Sequence, residues 1–330
     1  MSASGGFSKL ILFGIRERKL VIATDKLPVG VRLTNQFSKN EKHLHACPVC
    51  GSSPNTKFGL GVVSPWVREL GVTKKKYSKM YQCPNCECVF FSLRYSDSGM
   101  HNLYAEYRSD AYTGIRKKWE GWYSESYNTQ HSNGDWLEER AQTIRFFLSK
   151  YLSMEKSFVF DIGGDTGEIS SRLGAGGFTV LELSNRFESD SLNTSSGGLT
   201  PIAVMAHVLE HVADPLSELE CLLEQFEAVY VEVPNGLPTL SLARRSRAML
   251  IIYLFLSSVP ALWRKVSRPS TGRSNPASVL RLSEHLTFFS PLTIFALARK
   301  IHCEVTLRET EITSPGGDKS KVIQALFRRT

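Results

Sequence analysis

Three short apolar runs stand out in the middle of the chain: SFVFDI from Ser157, FTVLEL from Phe178 and PIAVMA from Pro201. Each is only a few residues long, and Val, Ile and Phe dominate the first two, which predicts strands. Between the first two lies EISSRLGAGG, where Ile169 and Leu173 are spaced by four and glycines close the segment. That spacing predicts a helix. Strand, glycine-rich loop, helix and strand, with Glu182 near the end of the second strand, is the opening of a doubly wound, nucleotide-binding α/β sheet. Upstream, NLYAEYRSDAYTGIRKKWEGWYSESY is dense in tyrosine and tryptophan and reads as helix and loop between two domains. Most of these aromatics serve packing; a minority are expected to face a cleft at the junction.

The loop FDIGGDTGEIS narrows the ligand. A dinucleotide loop needs G-x-G-x-x-G with backbone amides facing a pyrophosphate. Here the order is Gly163, Gly164, Asp165, Gly167, and Asp161 precedes it. An acid inside the cradle repels a diphosphate at a few ångströms. S-adenosylmethionine carries no phosphate and presents a sulfonium and an ammonium, so Asp161 and Asp165 favour it. Glu182 stands where a carboxylate holds ribose hydroxyls.

Cysteine spacing sets the other end of the chain. Cys47-Pro-Val-Cys50 and Cys83-Pro-Asn-Cys86 are two knuckles able to reach one tetrahedral ion, and four thiolates suit structural Zn²⁺. A closed four-thiolate site leaves no open position for chemistry. Cys88 is a spare thiol beside it. No secretory leader is evident and two C-x-x-C pairs point to a reducing compartment, so a cytoplasmic protein is expected. The implied order is an extension (1–45), a zinc-binding module (46–100), a helical connector (101–150) and a nucleotide-type domain (151–330).

HVLEH, His207 to His211, matches the H-x-x-E-H pattern of a zinc-protease helix. The apolar run before it suits a sheet strand, and no third ligand stands out, so the sequence argues against a protease. His207, nearer the strand end, is the better site candidate. The chain carries 40 Lys and Arg against 32 Asp and Glu, a net +8. Eight of the bases fall between Gly236 and Ser283, a segment without an acid. The rest of the chain is balanced, which argues against a distributed nucleic-acid surface. Inside that segment AMLIIYLFLSSVPALW runs uncharged from Ala248 to Trp263, broken by Pro260 and too short to span a bilayer. It is read as a buried helix, a partner surface, or an interfacial segment at an anionic membrane through residues 244–268.

The ordered set CPVCG, CPNCECVFF, DIGGDTG, AHVLEHVADP, VYVEVPN and EHLTFFSP resembles class I SAM-dependent methyltransferases with an N-terminal zinc-binding module. Several of these act on sugars in glycan and antibiotic pathways. The resemblance covers roughly residues 46 to 330, minus the insertion at 236–283. It implies a Rossmann-like methyltransferase domain, S-adenosyl-L-methionine as cofactor, and a sugar or glycan precursor as acceptor. In the sugar C-methyltransferases, the pair matching Glu284 and His285 is the catalytic acid/base; carried over, His285 is the base and Glu284 its partner. Three departures from the family pattern are Asp165 and Glu87 in place of glycines and a short loop before VYVEVPN. The alternatives are an RNA methyltransferase gripping RNA through the module, where VTKKKYSK supplies a basic run, and a non-catalytic SAM-binding scaffold.

Overall fold

The computed structural model describes residues 30–31, 40–53, 56–125, 129, 135–181, 192–193, 198–237, 247–266, 281–313 and 319–329. Glu182 and most of the expected N-terminal extension lie outside the described residues. Two sheets organise the chain. The larger has six strands: β4 (Ser157–Ile162), β5 (Gly177–Leu181), β6 (Thr200–Ala206), β7 (Ala228–Pro234), β10 (Cys303–Thr313) and β11 (Lys319–Arg329). Their spatial order is β10-β11-β7-β6-β4-β5. Neighbours from β5 to β7 are parallel, and β11 runs antiparallel to both β7 and β10. This is the expected doubly wound α/β sheet, with one reversed strand near an edge.

Strands β4, β6 and β7 are buried on both faces along most of their length, which explains why they read as continuous apolar runs, while β5 at the edge is only partly covered. Alternate residues feed two cores. Phe158, Phe160, Ala203, Met205, Val229 and Val231 face one side, with Leu219 and Leu222 of helix α5 (Pro215–Gln225) and Ile294 and Leu297 of α8 (Pro291–Lys300). Val159, Ile202, Val204 and Tyr230 face the other, against Ala141, Ile144 and Phe147 of α4 (Asp135–Leu148).

The helix predicted over EISSRLGAGG is a single 3-10 turn, Ser170–Arg172. Gly174, at φ +69°, turns the chain out of the helical region almost at once. Strand β5 begins three residues later. Two apolar residues spaced by four cannot by themselves sustain a helix against that stop.

The second sheet has five strands and gathers distant parts of the chain. Its members are β1 (Thr56–Val63), β2 (Tyr77–Gln82), β3 (Val89–Phe91), β8 (Arg281–Leu282) and β9 (Thr287–Phe288), ordered β8-β1-β2-β3-β9. The segment around EHLTFF therefore frames both edges of this sheet. Arg94 locks the junction. Buried, its guanidinium donates to the carbonyls of Ala213 (2.9 Å), Phe91 (2.7 Å) and Leu286 (3.2 Å) and to the Thr287 hydroxyl (3.0 Å).

After the short helix α1 (Pro65–Glu69), the aromatic connector forms α2 (Asp97–Tyr104) and α3 (Asp110–Trp119). Tyr112, Trp119 and Tyr123 pack with Trp66 and Trp263 in a third core. The uncharged run is divided at Pro260 into α6 (Arg247–Leu256) and α7 (Pro260–Val266). It is two-faced: Tyr253 and Trp263 are buried in that core, while Ile251, Ile252 and Phe255 are 66%, 48% and 64% exposed.

Candidate functional site

The C-terminal ends of β4 and β6 open on a cavity of about 400 Å³. A crevice at that end of a doubly wound sheet is where such folds bind ligands. One wall is the glycine-rich loop, contributing Asp161, Gly163, Gly164 and Asp165. The facing wall is His207, His211, Glu284 and His285. Gly167 stands behind the loop: its amide donates to the Gly164 carbonyl at 2.9 Å and it does not line the cavity.

Asp161 ends β4, is buried, and accepts a 2.6 Å hydrogen bond from the Ser170 hydroxyl. Burial raises its carboxyl to about 6, against the hydroxyl and Arg140, which lower it. Gly164 has to be a glycine: a Cβ there would lie 2.1 Å from the Asp161 carboxyl carbon. Asp165 takes a left-handed conformation (φ 53°) and pairs at 2.5 Å with Arg108, itself left-handed (φ 64°). The connector thus offsets the charge of Asp165. Of the two loop carboxylates that the sequence weights equally, Asp165 is therefore the one paired with a cationic side chain.

The HVLEH stretch is not a helix. Only Leu209–His211 form a turn, of 3-10 type, so His207 and His211 do not share a helix face. This removes the geometry that a zinc protease needs. His207 is left-handed (φ 60°), with its amide donating to the Glu232 carbonyl at 2.8 Å. Its ring stands between two carboxylates, Nδ1 at 3.4 Å from Glu210 and Nε2 at 3.5 Å from Glu232. Glu232 is wholly buried in β7 and accepts from Arg140 (2.9 and 2.6 Å), Gln324 (3.0 Å) and Tyr230 (3.2 Å). Burial acts to raise the Glu232 carboxyl, and Arg140 and His207 outweigh it, leaving it lowered.

The amide of Leu286 donates to the Glu210 carbonyl at 2.8 Å, which docks the EHLTFF segment on the HVLEH turn. His285 and His211 then meet edge to face, ring centres 4.8 Å apart. Burial, with His211 alongside, lowers His285 to about 4, so its imidazole is neutral near neutrality. The hydrogen bonds of Glu284 go elsewhere than to His285. Its Oε1 accepts from the Tyr112 hydroxyl and from Arg116, both at 2.9 Å. Arg116 in turn lies 4.2 Å from the Tyr123 ring centre and 4.7 Å from that of Trp66. Burial tends to raise Glu284; Arg116 and the histidines reverse this and lower it. Buried Glu210 shows the same contest, with its histidine neighbours prevailing and holding it at about 2.

Sequence reasoning passed over Arg140, Glu232, Arg116, Tyr112 and Tyr104, and weighed Glu210 only as the base of a zinc-protease motif. One signal was there: Glu232 interrupts the apolar run VYVEVP, and a charge inside a buried strand requires a partner.

The four cysteines form a second constellation. Cys47 Sγ lies 3.5 Å from Cys86 Sγ and Cys50 Sγ 3.4 Å from Cys83 Sγ, with all four within 4.8 Å of one another and buried. A tetrahedral ion with ~2.3 Å bonds to sulfur holds its ligands about 3.8 Å apart, so the set fits. The two knuckles are built alike: the amides of Gly51 and Glu87 each donate at 3.0 Å to the first cysteine's carbonyl. Glu87 accepts the left-handed turn (φ 60°) that Gly51 adopts freely, and its carboxylate receives the Ser290 hydroxyl at 3.3 Å. Hydrogen bonding from Cys86 lowers the Cys47 thiol; the same bond raises Cys86, and burial raises Cys83. A dication lets all four ionise. Cys88 is fully buried beside the cluster and outside this four-cysteine set. Lys75, Lys76 and Lys79 line a separate groove with His43 and His45, sharing no residue with the cavity at the sheet.

No protein-family model matches the chain. No curated protein matches it either. Among solved structures, it is similar to the N-terminal domain of EvdMO1 with SAH bound, at 15% identity over 58% of this chain and 81% of that one, TM-score 0.31. It is also similar to a SAM-dependent methyltransferase from Methanosarcina mazei, at 15% identity over 56% and 96%, TM-score 0.31. A third similarity is to magnesium protoporphyrin IX methyltransferase from Synechocystis PCC 6803 with bound SAH, at 10% identity over 69% and 98%, TM-score 0.37. At such distances the functional reading stands on the site.

Proposed function

We propose that the chain is a class I methyltransferase that moves the methyl group of S-adenosyl-L-methionine to a carbon or oxygen of a sugar or glycan precursor. The observation that carries the reading is the two-sided cavity: Asp161 and a phosphate-averse glycine loop face a wall of histidines. The buried carboxylate meets the ammonium and sulfonium side of the cofactor, and the loop backbone gives the close approach. The methyl is already activated on sulfonium, so the protein has to orient the acceptor and take a proton from it. His285, neutral and opening on the cavity, is the base in this reading. Glu284 acts with Arg116 and Tyr112 as a fixed polar wall for acceptor hydroxyls, and His207 orients the acceptor from the strand end. Cys47, Cys50, Cys83 and Cys86 hold a structural Zn²⁺ that supplies rigidity and no chemistry. The exposed Ile251, Ile252 and Phe255, near Arg264 and Lys265 in sequence, support peripheral contact with an anionic membrane.

Calorimetry tests the cofactor. The chain should bind S-adenosylhomocysteine and ignore NAD; tight NAD binding overturns the reading. His285→Ala should then keep S-adenosylhomocysteine affinity while losing turnover of labelled S-adenosylmethionine on nucleotide-linked sugars. Equal turnover in variant and parent returns His285 to a structural role.

A further inference from the structure

We propose that Glu210, His211 and His285 form a binding site for one divalent transition-metal ion, and that occupancy of this site takes His285 out of use as a base. The binding claim stands on geometry alone; its effect on turnover rests on the methyl-transfer reading above.

One carboxylate oxygen and one imidazole nitrogen from each histidine lie within 4.8 Å of one another. His211 Nε2 and Glu210 Oε1 are already 3.9 Å apart. Two ligands of a tetrahedral ion with ~2.1 Å bonds keep about 3.4 Å between them, so a modest contraction closes the set. A second, independent feature points to a cation. Glu210 is 1% exposed, and neither of its carboxylate oxygens makes a hydrogen bond; the nearest group is His207 Nδ1, 3.4 Å from Oε1. Buried carboxylates are ordinarily bonded, and an unbonded one asks for a positive ion.

The supporting shell favours the same arrangement. His211 Nδ1 is 3.2 Å from the Tyr104 hydroxyl. With its Nδ1–H given to that oxygen, Nε2 keeps a lone pair for a metal, which is how ligating histidines are usually held. The Leu286 amide on the Glu210 carbonyl, at 2.8 Å, fixes the approach of His285 to the same turn. His211 and His285 line the cavity while Glu210 does not. The two histidine ligands thus border the cavity, from which an ion can reach the set. Two imidazoles and a carboxylate suit Zn²⁺, Co²⁺, Mn²⁺ or Fe²⁺ better than Mg²⁺ or Ca²⁺. They also differ in kind from the four-thiolate set. An imidazole lone pair committed to a metal takes no proton, so ion and base exclude each other at His285.

The test adds Co²⁺ to the full chain with its thiolate site already filled by zinc. The expected result is one further equivalent per chain, with visible d–d bands and no sulfur-to-metal charge-transfer band. Glu210→Gln and His285→Asn should each abolish that equivalent while leaving S-adenosylhomocysteine affinity within about twofold, which shows both variants folded. A single equivalent in the parent, or a second one that survives both substitutions, overturns the site. In turnover assays, Zn²⁺ at the occupancy found by metal counting should suppress the parent at least tenfold. Undiminished turnover with the site full overturns the exclusion of the base. Because the metal count needs no turnover, it separates this proposal from the methyl-transfer reading.

Discussion

Gly164→Ala is the most informative single change. The new Cβ would sit 2.1 Å from both Cγ and Oδ2 of Asp161 and 2.5 Å from Oδ1. Ordinary carbon contacts begin near 3.5 Å, so the carboxyl must retreat by about 1.4 Å. That movement breaks the 2.6 Å bond from Ser170. A hydrogen bond to a charged acceptor contributes about 1.5–3 kcal/mol, and an off-rotamer side chain costs about 0.5–1.5 kcal/mol. The expected destabilisation is about 2–4 kcal/mol, or roughly 3–6 °C in melting temperature for a chain of this size. The cofactor loses its carboxylate partner as well. Taken as one charge-assisted bond, that weakens S-adenosylhomocysteine binding roughly 10- to 100-fold. Calorimetry and thermal melts on the same preparations read both effects. Gly236→Ala is the control, because its Cβ would meet nothing within 4 Å. If Gly164→Ala binds and melts like the parent, Asp161 does not anchor the ligand and the account of the loop is wrong.

Three further outcomes are expected. Because burial raises Asp161 to about 6, its contribution to stability is full below the unfolded value near 3.9 and is lost as pH rises through 6; cofactor affinity runs the opposite way, falling as pH drops below 6, and a flat calorimetric profile from pH 5 to 7.5 would contradict this. Cys83→Ser should lose the thiolate-bound ion, removing the sulfur-to-metal charge-transfer band of the cobalt-substituted chain, and lower the melting temperature; an unchanged band and melt would rule out the four-thiolate site. Ile251→Ser with Phe255→Ser should abolish salt-sensitive binding to anionic vesicles without a change in melting temperature, since both side chains are more than 60% exposed; equal binding to neutral and anionic vesicles would rule out the electrostatic part. Deleting the whole segment is a poorer test, because Tyr253 and Trp263 belong to the core.

What the sequence revealed follows from distance along the chain. Strands β4 and β6 were legible because burial on both faces leaves an apolar run with no alternation to confuse. The cysteine knuckles were legible because each is a local turn, and Asp161 because only Ile162 separates it from the glycines. The partners of the site were not. Glu232 meets Arg140 from 92 positions away, and Glu284 meets Arg116 from 168. No spacing rule connects such residues until the sheet has brought them together. The turn after the glycine loop misled for the opposite reason: two apolar residues at helical spacing were outweighed by a glycine whose φ the sequence does not print.

The two edge strands that complete the N-terminal sheet have a consequence for how the chain comes into being. Arg281 and Leu282 pair with Val62 and Val63, and Thr287 and Phe288 pair with Phe90 and Val89. A ribosome adds about 5–20 residues per second, so the ~200 residues between these partners take roughly 10–40 s to appear. Through that interval the three strands already made have both edges bare, and bare edges invite pairing with other nascent chains. The cysteine turns need only residues 47–86 and can close first. Early metal capture would therefore hold the young sheet in register until its last strands arrive, so zinc starvation should reduce the yield of folded chain during expression more than it lowers the stability of protein already made.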